Sequence, residues 1–325
     1  MRVIVGVDLG GTNIVVGGVP EDGGAVYALA SERTPVQLGA EAVVQVIVRM
    51  IQTCVEGTRR QAPGADVVGV GIGAPGPLDT NRGIVIFAPN LSWHNMPLRD
   101  RIADAVRLPT TLDNDANCAV LGEWWQGAAR GARFVVGLTI GTGVGGGIVL
   151  DGQLFHGAAD VAGEIGHTSI DLNGRRCKCG NYGCIEAYAS GPAIAARAVE
   201  GLEAGATSRL AEYVKGDLSA IDAQVVYQAS RDGDDFAQEV VRDTARFLGA
   251  TIASVVNILN PEVVVICGGV TLAGEQLFAP LREEVRRRAF KPAVAACRIV
   301  PGSLTGTAGV YGAAATFKVQ RWGKA

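Results

Sequence analysis

The sequence predicts a mixed α/β protein built from two similar domains, and three observations support that class. At 325 residues the chain is about twice as long as a typical domain of roughly 150 residues. Short β-rich runs alternate along it with stretches of helical periodicity. A strand, a glycine turn and a second strand at 7–17 recur with the same plan at 138–148, early in the second half. Two such copies indicate two similarly built domains facing one cleft.

The individual elements are predicted from periodicity and from residues that favour turns. Strands are expected where β-rich runs end at turn residues, at 3–7, 14–19, 25–31, 66–73, 110–113, 134–140, 148–150 and 263–267. Helices are expected at about 40–57, 97–106, 116–126, 191–233, 237–259 and 306–318. The first helix rests on apolar residues at helical spacing, such as Val43, Ile47 and Met50. The helix at 237–259 ends before Pro261, whose ring cannot continue it.

The composition excludes several classes of protein. A net charge of −3 excludes the strongly basic surface of a typical nucleic-acid-binding protein. A hydrophobic fraction of 48% predicts a packed core rather than disorder. The 45 glycines show no G-X-Y period, which excludes collagen. Seven cysteines are too few for a disulfide scaffold, and Asp8 interrupts the opening apolar run, so we expect a reduced, cytoplasmic protein without a secretory signal.

The glycine turns are candidate phosphate sites. Glycine exposes backbone N–H groups at close range, and a side chain there would block a phosphate. The turns at 10–13 and 141–143 also carry the hydroxyls of Thr12 and Thr142, and Asp8 offers a carboxylate for Mg²⁺. An ordinary hairpin turn is the alternative for each. The pair Gly268-Gly269 follows a predicted strand, so either a nucleotide contact or a strand-to-helix turn is expected there.

Two common nucleotide-binding motifs are excluded. Residues 141–146 fit G-x-G-x-x-G, but that motif must open a helix, and residues 147–152 read as strand and turn. The G-x-x-x-x-G-K-[ST] pattern of P-loop proteins is absent from the sequence.

A cysteine and histidine cluster predicts a zinc site. His167, Cys177, Cys179 and Cys184 follow the pattern H-x9-C-x-C-x4-C. Three thiolates and an imidazole make a closed tetrahedral Zn²⁺ site, which is typical of structural zinc. The alternatives are a disulfide, which is uncommon in cytoplasmic proteins, or free thiols.

Several carboxylates are candidates for chemistry beside these motifs. Asp113 and Asp115 flank Asn114 where a strand meets a helix, and the spacing does not choose between them. Such residues often cap helices, but a carboxylate at the end of a strand also suits a cleft. Glu164 and Glu186 flank the zinc cluster, which would hold Glu186 and His167 near each other.

The motifs at 8–13, 163–167 and 177–186 together resemble those of the ROK family of sugar kinases and repressors. The similarity runs in order along nearly the whole chain and is weakest at about 201–235. It implies a two-domain actin-like ATPase (hexokinase/ribonuclease H-like) α/β fold with a deep interdomain cleft. The small domain would comprise 1–115 plus about 306–325, and the large domain 116–305, with the zinc knuckle.

Within the family, the chain is most similar to the bacterial kinases that phosphorylate glucose with ATP. The resemblance implies that Asp115 is the general base for the sugar 6-hydroxyl, and that Asp8 helps to place Mg²⁺. The sugar-binding residues it implies are Asn90, Asn114, Asp115, Glu164, His167 and Glu186. The nucleotide-binding residues it implies are Asp8, Gly10, Gly11, Thr12, Asn13, Gly141, Thr142, Gly143, Gly268 and Gly269.

Other functions stay open at this point. The substrate could be another hexose, namely N-acetylglucosamine, N-acetylmannosamine, mannose or fructose. A sugar-sensing repressor is disfavoured because the first predicted strand starts at residue 3 and leaves no room for a DNA-binding module. A polyphosphate donor is disfavoured because that branch of the family usually lacks the zinc knuckle. The resemblance further implies a homodimer or homotetramer that binds neither nucleic acid nor membrane.

Overall fold

The computed structural model describes residues 1–323 and contains both helices and sheets. The strands are β1 (Arg2–Leu9), β2 (Asn13–Pro20), β3 (Tyr27–Arg33), β4 (Asp66–Ala74), β5 (Leu78–Asp79), β6 (Ile84–Ala88), β7 (Trp93–Met96), β8 (Thr110–Asn114), β9 (Phe134–Ile140), β10 (Val144–Leu150), β11 (Gln153–Leu154), β12 (Val263–Cys267) and β13 (Arg298–Pro301). The helices are α1 (Ala40–Gln61), α2 (Leu98–Val106), α3 (Asp115–Gln126), α4 (Glu186–Ala189), α5 (Gly191–Glu203), α6 (Leu210–Tyr213), α7 (Ala223–Arg231), α8 (Asp235–Leu259), α9 (Glu275–Arg288), α10 (Lys291–Ala296) and α11 (Ala308–Trp322).

Every predicted strand is present, and β10 is longer than predicted because its glycines at 145–147 are extended. The helical stretch predicted at 191–233 is several helices rather than one. Gly205 and Gly216, both with positive φ, lie in the connections that separate α5, α6 and α7. Backbone in that region of φ/ψ space ends a right-handed helix.

The first sheet has the order β3-β2-β1-β4-β8. The first three strands along the chain pair antiparallel, whereas β1, β4 and β8 run parallel. The register aligns Asp8 with Gly73 and Gly73 with Asp113. The carboxyl ends of three parallel strands therefore bring two aspartates to one edge of the sheet.

Glycines on this sheet allow α11 to pack unusually close. A Cβ atom on Gly6 would lie 2.1 Å from the carbonyl oxygen of Val310, and one on Gly71 would lie 1.8 Å from that of Ala313. Such distances are shorter than any real contact, so both positions need glycine. Part of the glycine content therefore serves helix-on-sheet packing, in a core that includes the fully buried Ile4.

On the other face of the first sheet lies α1. Its apolar positions Val43, Ile47 and Met50 are buried, as the helical spacing predicts. A second sheet has the order β11-β10-β9-β12-β13, and β12 is buried along its whole length. A third, antiparallel sheet has the order β5-β6-β7.

The chain divides into two compact units by the density of its internal contacts. The first contains 1–135, 147–163 and the chain from Ser303 onward, and the second contains 136–146 and 164–302. Helix α3 belongs to the first unit because it packs against α11, and a Cβ on Gly122 would lie 2.1 Å from the oxygen of Ala308. The predicted range 306–325 includes two residues outside those described. Among the described residues, no helix combines the length and apolar character needed to cross a bilayer.

Candidate active site

The first glycine turn joins β1 to β2 and is held by backbone hydrogen bonds. Gly10 N–H donates to the oxygen of Asn13 (2.9 Å), and the Thr34 hydroxyl donates to the oxygen of Gly10 (2.7 Å). Thr12 and Asn13 are exposed. Asn90 lies against this turn. A Cβ on Gly11 would lie 3.1 Å from the Cβ of Asn90.

Asp8 lies close to the turn, near the end of β1, and its carboxyl faces the start of α11. A Cβ on Gly309 would lie 2.3 Å from Asp8 Oδ2. Burial, with a smaller contribution from the Asp115 carboxylate, raises the pKa of Asp8 to about 7. Two carboxyl groups that repel each other in a partly dehydrated setting suit a divalent cation, whose charge would offset both. The residues present therefore fit Mg²⁺.

The raised pKa of Asp8 predicts that the free energy of unfolding of the metal-free protein depends on pH. Between about pH 4 and pH 7 the folded protein keeps a proton that the unfolded chain has released, so the free energy of unfolding falls across this range and stays low above pH 7. We expect Asp8→Asn without metal to be more stable than the wild type by about 2–4 kcal/mol at pH 8. The difference should disappear toward pH 4. Thermal melts in chelator at both pH values test this, and equal stability at pH 8 would contradict it.

The structure separates the roles of Asp113 and Asp115. Asp113 is buried, and its Oδ2 lies 2.9 Å from His156 Nε2 and accepts a hydrogen bond from Gln320 (3.3 Å). Its Oδ1 accepts hydrogen bonds from the Asn117 side chain and the Asn114 backbone. Because its oxygens have these partners, Asp113 is structural.

Asn114 and Asp115 lie at the start of α3. The Asn114 side chain caps the helix by accepting hydrogen bonds from Ala116 N–H (2.9 Å) and Asn117 N–H (3.1 Å), which satisfies donors that a helix leaves open. Its amide also donates to the oxygen of Gly76 (3.4 Å), in the loop after β4. Asp115 is the first helical residue and is only partly buried. Of the two aspartates 113 and 115, Asp115 is therefore the one that a substrate can reach.

The second glycine turn joins β9 to β10 in the second unit. Gly141 N–H donates to the oxygen of Gly143 (2.9 Å), and Gly191 N–H donates to the oxygen of Gly141 (2.8 Å). Gly141 and Thr142 are exposed. A strand follows this turn, so the exclusion of a dinucleotide-binding helix at 141–146 is confirmed.

The glycines predicted to contact nucleotide differ in their surroundings. Gly268 has a φ of +97°, and a Cβ there would lie 2.1 Å from the oxygen of Ile140, so the fold itself requires glycine. Gly141 and Gly269 have no positive φ, and a Cβ on either would meet no atom within 4 Å. Neither needs glycine for packing, and both leave open a space that a phosphate or nucleoside can fill.

We therefore expect Gly141→Ala to weaken ATP binding without destabilising the fold. An alanine methyl group fits there, but it would obstruct a phosphate approaching the backbone N–H groups. The KM for ATP should rise by about tenfold, the equivalent of one hydrogen bond of roughly 1.4 kcal/mol, while the melting temperature stays unchanged. Gly268→Ala is the matched control and should lower the melting temperature. An unchanged KM in Gly141→Ala would argue against a phosphate contact.

The predicted zinc ligands come together in the second unit. One ligand atom from each of His167, Cys177, Cys179 and Cys184 lies within 4.8 Å of all the others. The Sγ atoms of Cys179 and Cys184 are 3.7 Å apart, and Cys177 Sγ is 3.8 Å from His167 Nδ1. Zn–S bonds of about 2.3 Å in a tetrahedron separate two sulfurs by about 3.8 Å, so the geometry fits Zn²⁺. All described cysteines are free, which excludes the disulfide.

Of the predicted sugar-binding residues of the second unit, His167 belongs to this cluster and Glu186 contacts it. Glu186 Oε1 is 3.6 Å from Cys177 Sγ, the sulfur that also faces His167. His167 directs Nδ1 to the cluster, and its Nε2 stays available for a ligand. Glu164 is exposed, immediately before the short turn that carries His167.

Sequence reasoning missed two residues of the first unit. His156 pairs with Asp113, which raises the pKa of the imidazole through their hydrogen bond. Glu123 is buried on α3 and accepts hydrogen bonds from Ala128, Ser303 and Leu304 N–H groups. Neither residue belongs to a local motif. For Glu123, the sequence offered one signal, an acidic residue on the apolar face of a predicted helix.

A sequence model of the ROK family matches residues 4–320. The chain belongs to the ROK family. This ROK protein is 40% identical to a glucokinase of Thermotoga maritima over 316 residues, which is 97% of either chain. It is 36% identical to a ROK family glucokinase from Streptomyces griseus solved in complex with glucose and AMPPNP, with a TM-score of 0.82 over 96% of this chain and 98% of that one. The predicted two-domain actin-like ATPase fold class is confirmed.

The same family includes regulators. The ROK protein is 35% identical to a xylose repressor of Caldicellulosiruptor bescii over 75% of this chain and 61% of the repressor. Family membership alone therefore does not separate a kinase from a sugar sensor.

Proposed function

We propose that this ROK protein phosphorylates glucose at the 6-hydroxyl with ATP. The structural observation that carries the proposal is the difference between two aspartates at the end of β8: Asp113 is buried and paired with His156, whereas Asp115 is partly exposed. A kinase needs one such accessible carboxylate, and a purely structural capping site does not. The similarity to glucokinases along 97% of the chain favours glucose as the substrate.

Asp115 acts as the general base in this proposal. Its carboxylate accepts the proton of the sugar 6-hydroxyl as the oxygen attacks the γ-phosphorus of ATP, and ADP leaves on the opposite side. The Asn114 side chain and the exposed Asn90 bind neighbouring hydroxyls and orient the sugar. Asn114 is suited to this because its own cap and its bond to Gly76 fix its position.

The remaining sugar hydroxyls, near C1–C3, are bound by Glu164, His167 and Glu186. Carboxylates accept hydrogen bonds from hydroxyls, whereas an imidazole that binds a metal through Nδ1 carries its proton on Nε2 and donates to a hydroxyl oxygen. A rigid support makes that recognition selective. The Cys₃His cluster gives this support, since Cys177 contacts both His167 and Glu186. With Zn²⁺ bound at Cys177, Cys179, Cys184 and His167, the cluster supplies a structural cross-link and no reaction step.

The ATP phosphates are bound at the two glycine turns, 10–13 and 141–143, by backbone N–H groups other than those of Gly10 and Gly141, which bond within the turns, and by the hydroxyls of Thr12 and Thr142. Gly268 and Gly269 line the nucleotide, and of these Gly269 has the open space for it. Asp8 would hold Mg²⁺. When bound, Mg²⁺ supplies positive charge that neutralises the transferring phosphoryl group.

Product analysis tests the position of transfer. With ¹³C-labelled glucose, Mg²⁺ and ATP, we expect glucose 6-phosphate as the single sugar product by ³¹P and ¹³C NMR spectroscopy. The compound 6-deoxyglucose should compete with glucose but accept no phosphate. Phosphate on C1, or turnover of 6-deoxyglucose, would refute the assignment of Asp115 to the 6-hydroxyl.

A second candidate is a sugar-sensing regulator, favoured by the 35% identity to a xylose repressor. Such a protein would bind sugar and release no ADP. The cytoplasmic location and the homodimer or homotetramer expected from the resemblance stay predictions.

A further inference from the structure

Glu186 contacts more than the residues proposed to bind sugar. Its Oε2 accepts a hydrogen bond from the backbone N–H of Val144 (3.0 Å), the residue that directly follows the second glycine turn. Its Oε1 faces Cys177 Sγ at 3.6 Å. One partly buried carboxylate therefore links the cysteine cluster to the backbone of the turn at 141–143.

Two other segments of the cluster region pack on the same turn. A Cβ on Gly166, next to His167, would lie 1.8 Å from the oxygen of Val144. Gly191, the first residue of α5, donates its N–H to the oxygen of Gly141 (2.8 Å). The turn and the residue after it thus contact two chain segments, one beside His167 and one that follows Glu186.

The space around Gly143 shows how closely the carboxylate approaches. A Cβ on Gly143 would lie 2.6 Å from Glu186 Oε2, too close for any real contact. A side chain at 143 would therefore displace the Glu186 carboxylate, whereas a Cβ at 141 would meet no described atom within 4 Å. Gly143 thus allows the carboxylate to approach the turn, and Gly141 leaves a space open to a phosphate.

From these contacts we infer that Glu186 is a positioning residue for the ATP phosphates as well as a sugar ligand. By fixing the Val144 N–H, it sets the orientation of the turn's backbone donors at 142 and 143. The inference rests on the proposed function, because it takes that turn as the phosphate site. It adds that nucleotide affinity depends on Glu186 and on the Cys₃His cluster even when no sugar is present.

Calorimetric titration with Mg²⁺-AMPPNP in the absence of glucose tests the inference. Glu186→Ala removes the hydrogen bond and should raise the Kd for AMPPNP by about tenfold or more. Glu186→Gln keeps an amide oxygen that can accept the same bond and should stay within about threefold of the wild type. The matched control is Glu164→Ala, an exposed sugar-ligand candidate for which the structure gives no bond to the turn, and it should leave the Kd for AMPPNP unchanged while weakening glucose binding.

Hydrogen exchange of the segment 141–147 gives a readout that is independent of ligand. The Val144 N–H should exchange faster in Glu186→Ala than in the wild type or in Glu186→Gln. Exchange at this amide and AMPPNP affinity that are both unchanged in Glu186→Ala would overturn the inference, and so would an equal loss in Glu186→Gln. If the wild type does not bind Mg²⁺-AMPPNP, the proposed function and the inference both fail. If the wild type binds it and Glu186→Ala binds it equally well, only the inference fails.

Discussion

Asp115→Asn is expected to lower kcat for glucose phosphorylation by about 10²–10⁴-fold, the usual contribution of a general base. Asparagine has nearly the same size and can still begin α3, but its amide cannot accept the proton of the 6-hydroxyl. The Kd for glucose should change by much less, because Asn90, Asn114 and the residues of the second unit stay in place. Rate measurements under saturating glucose and ATP, with glucose affinity from calorimetry, separate the two effects.

Asp113→Asn is the matched control, two residues away. Its carboxylate is 1% exposed and paired with His156, so we expect a lower melting temperature rather than a specific loss of chemistry. Breaking a buried pair by neutralising one partner costs on the order of 3 kcal/mol. Near-normal turnover in Asp115→Asn would remove Asp115 as the base and point back to Asp113 or Asp8.

Loss of the metal cluster should have the second largest effect. The purified protein is expected to contain about one zinc per chain, and Cys177→Ser is expected to lose it. Because a structural zinc ion contributes folding energy directly, the melting temperature should fall by about 10 °C or more. Glucose affinity should fall as well, since Cys177 contacts both His167 and Glu186.

Cys297→Ser is the control for the zinc experiment. Cys297 is a partly buried cysteine far along the chain from the cluster, and it lies against the backbone oxygen of Arg298. It should keep the full zinc content. Purified wild-type protein without zinc, in which Cys177 and Cys184 react freely with a thiol reagent, would refute the cluster as a metal site.

The elements that periodicity predicted well are those with strong local signals. Helices α1 and α8 each present a long apolar face, and β12 is a continuous apolar run. The short strands β5, β6 and β7 were missed because two to five residues carry little periodicity and pair only through tertiary contacts. Helix α9 was missed because Pro280 and a run of arginines conceal its apolar face.

Within the site, the cysteine cluster and glycine turns were readable because they are contiguous motifs. The choice between Asp113 and Asp115 was not readable from spacing, since it depends on His156, which lies 43 residues along the chain. The difference between Gly268 and Gly269 is likewise tertiary, because the oxygen that excludes a side chain at Gly268 belongs to Ile140. Local chemistry is thus predictable from sequence, whereas the distribution of roles among neighbouring residues depends on distant partners.

The most direct test of the central claim is ADP release with Mg²⁺-ATP across glucose, N-acetylglucosamine, N-acetylmannosamine, mannose and fructose. We predict strong release that is selective for glucose and absent without sugar. A preference for an N-acetylated sugar would keep the mechanism and refute glucose as the substrate. No ADP release with any of the five sugars, in protein that binds glucose and holds its zinc, would contradict the proposed kinase activity and favour a sugar-sensing regulator.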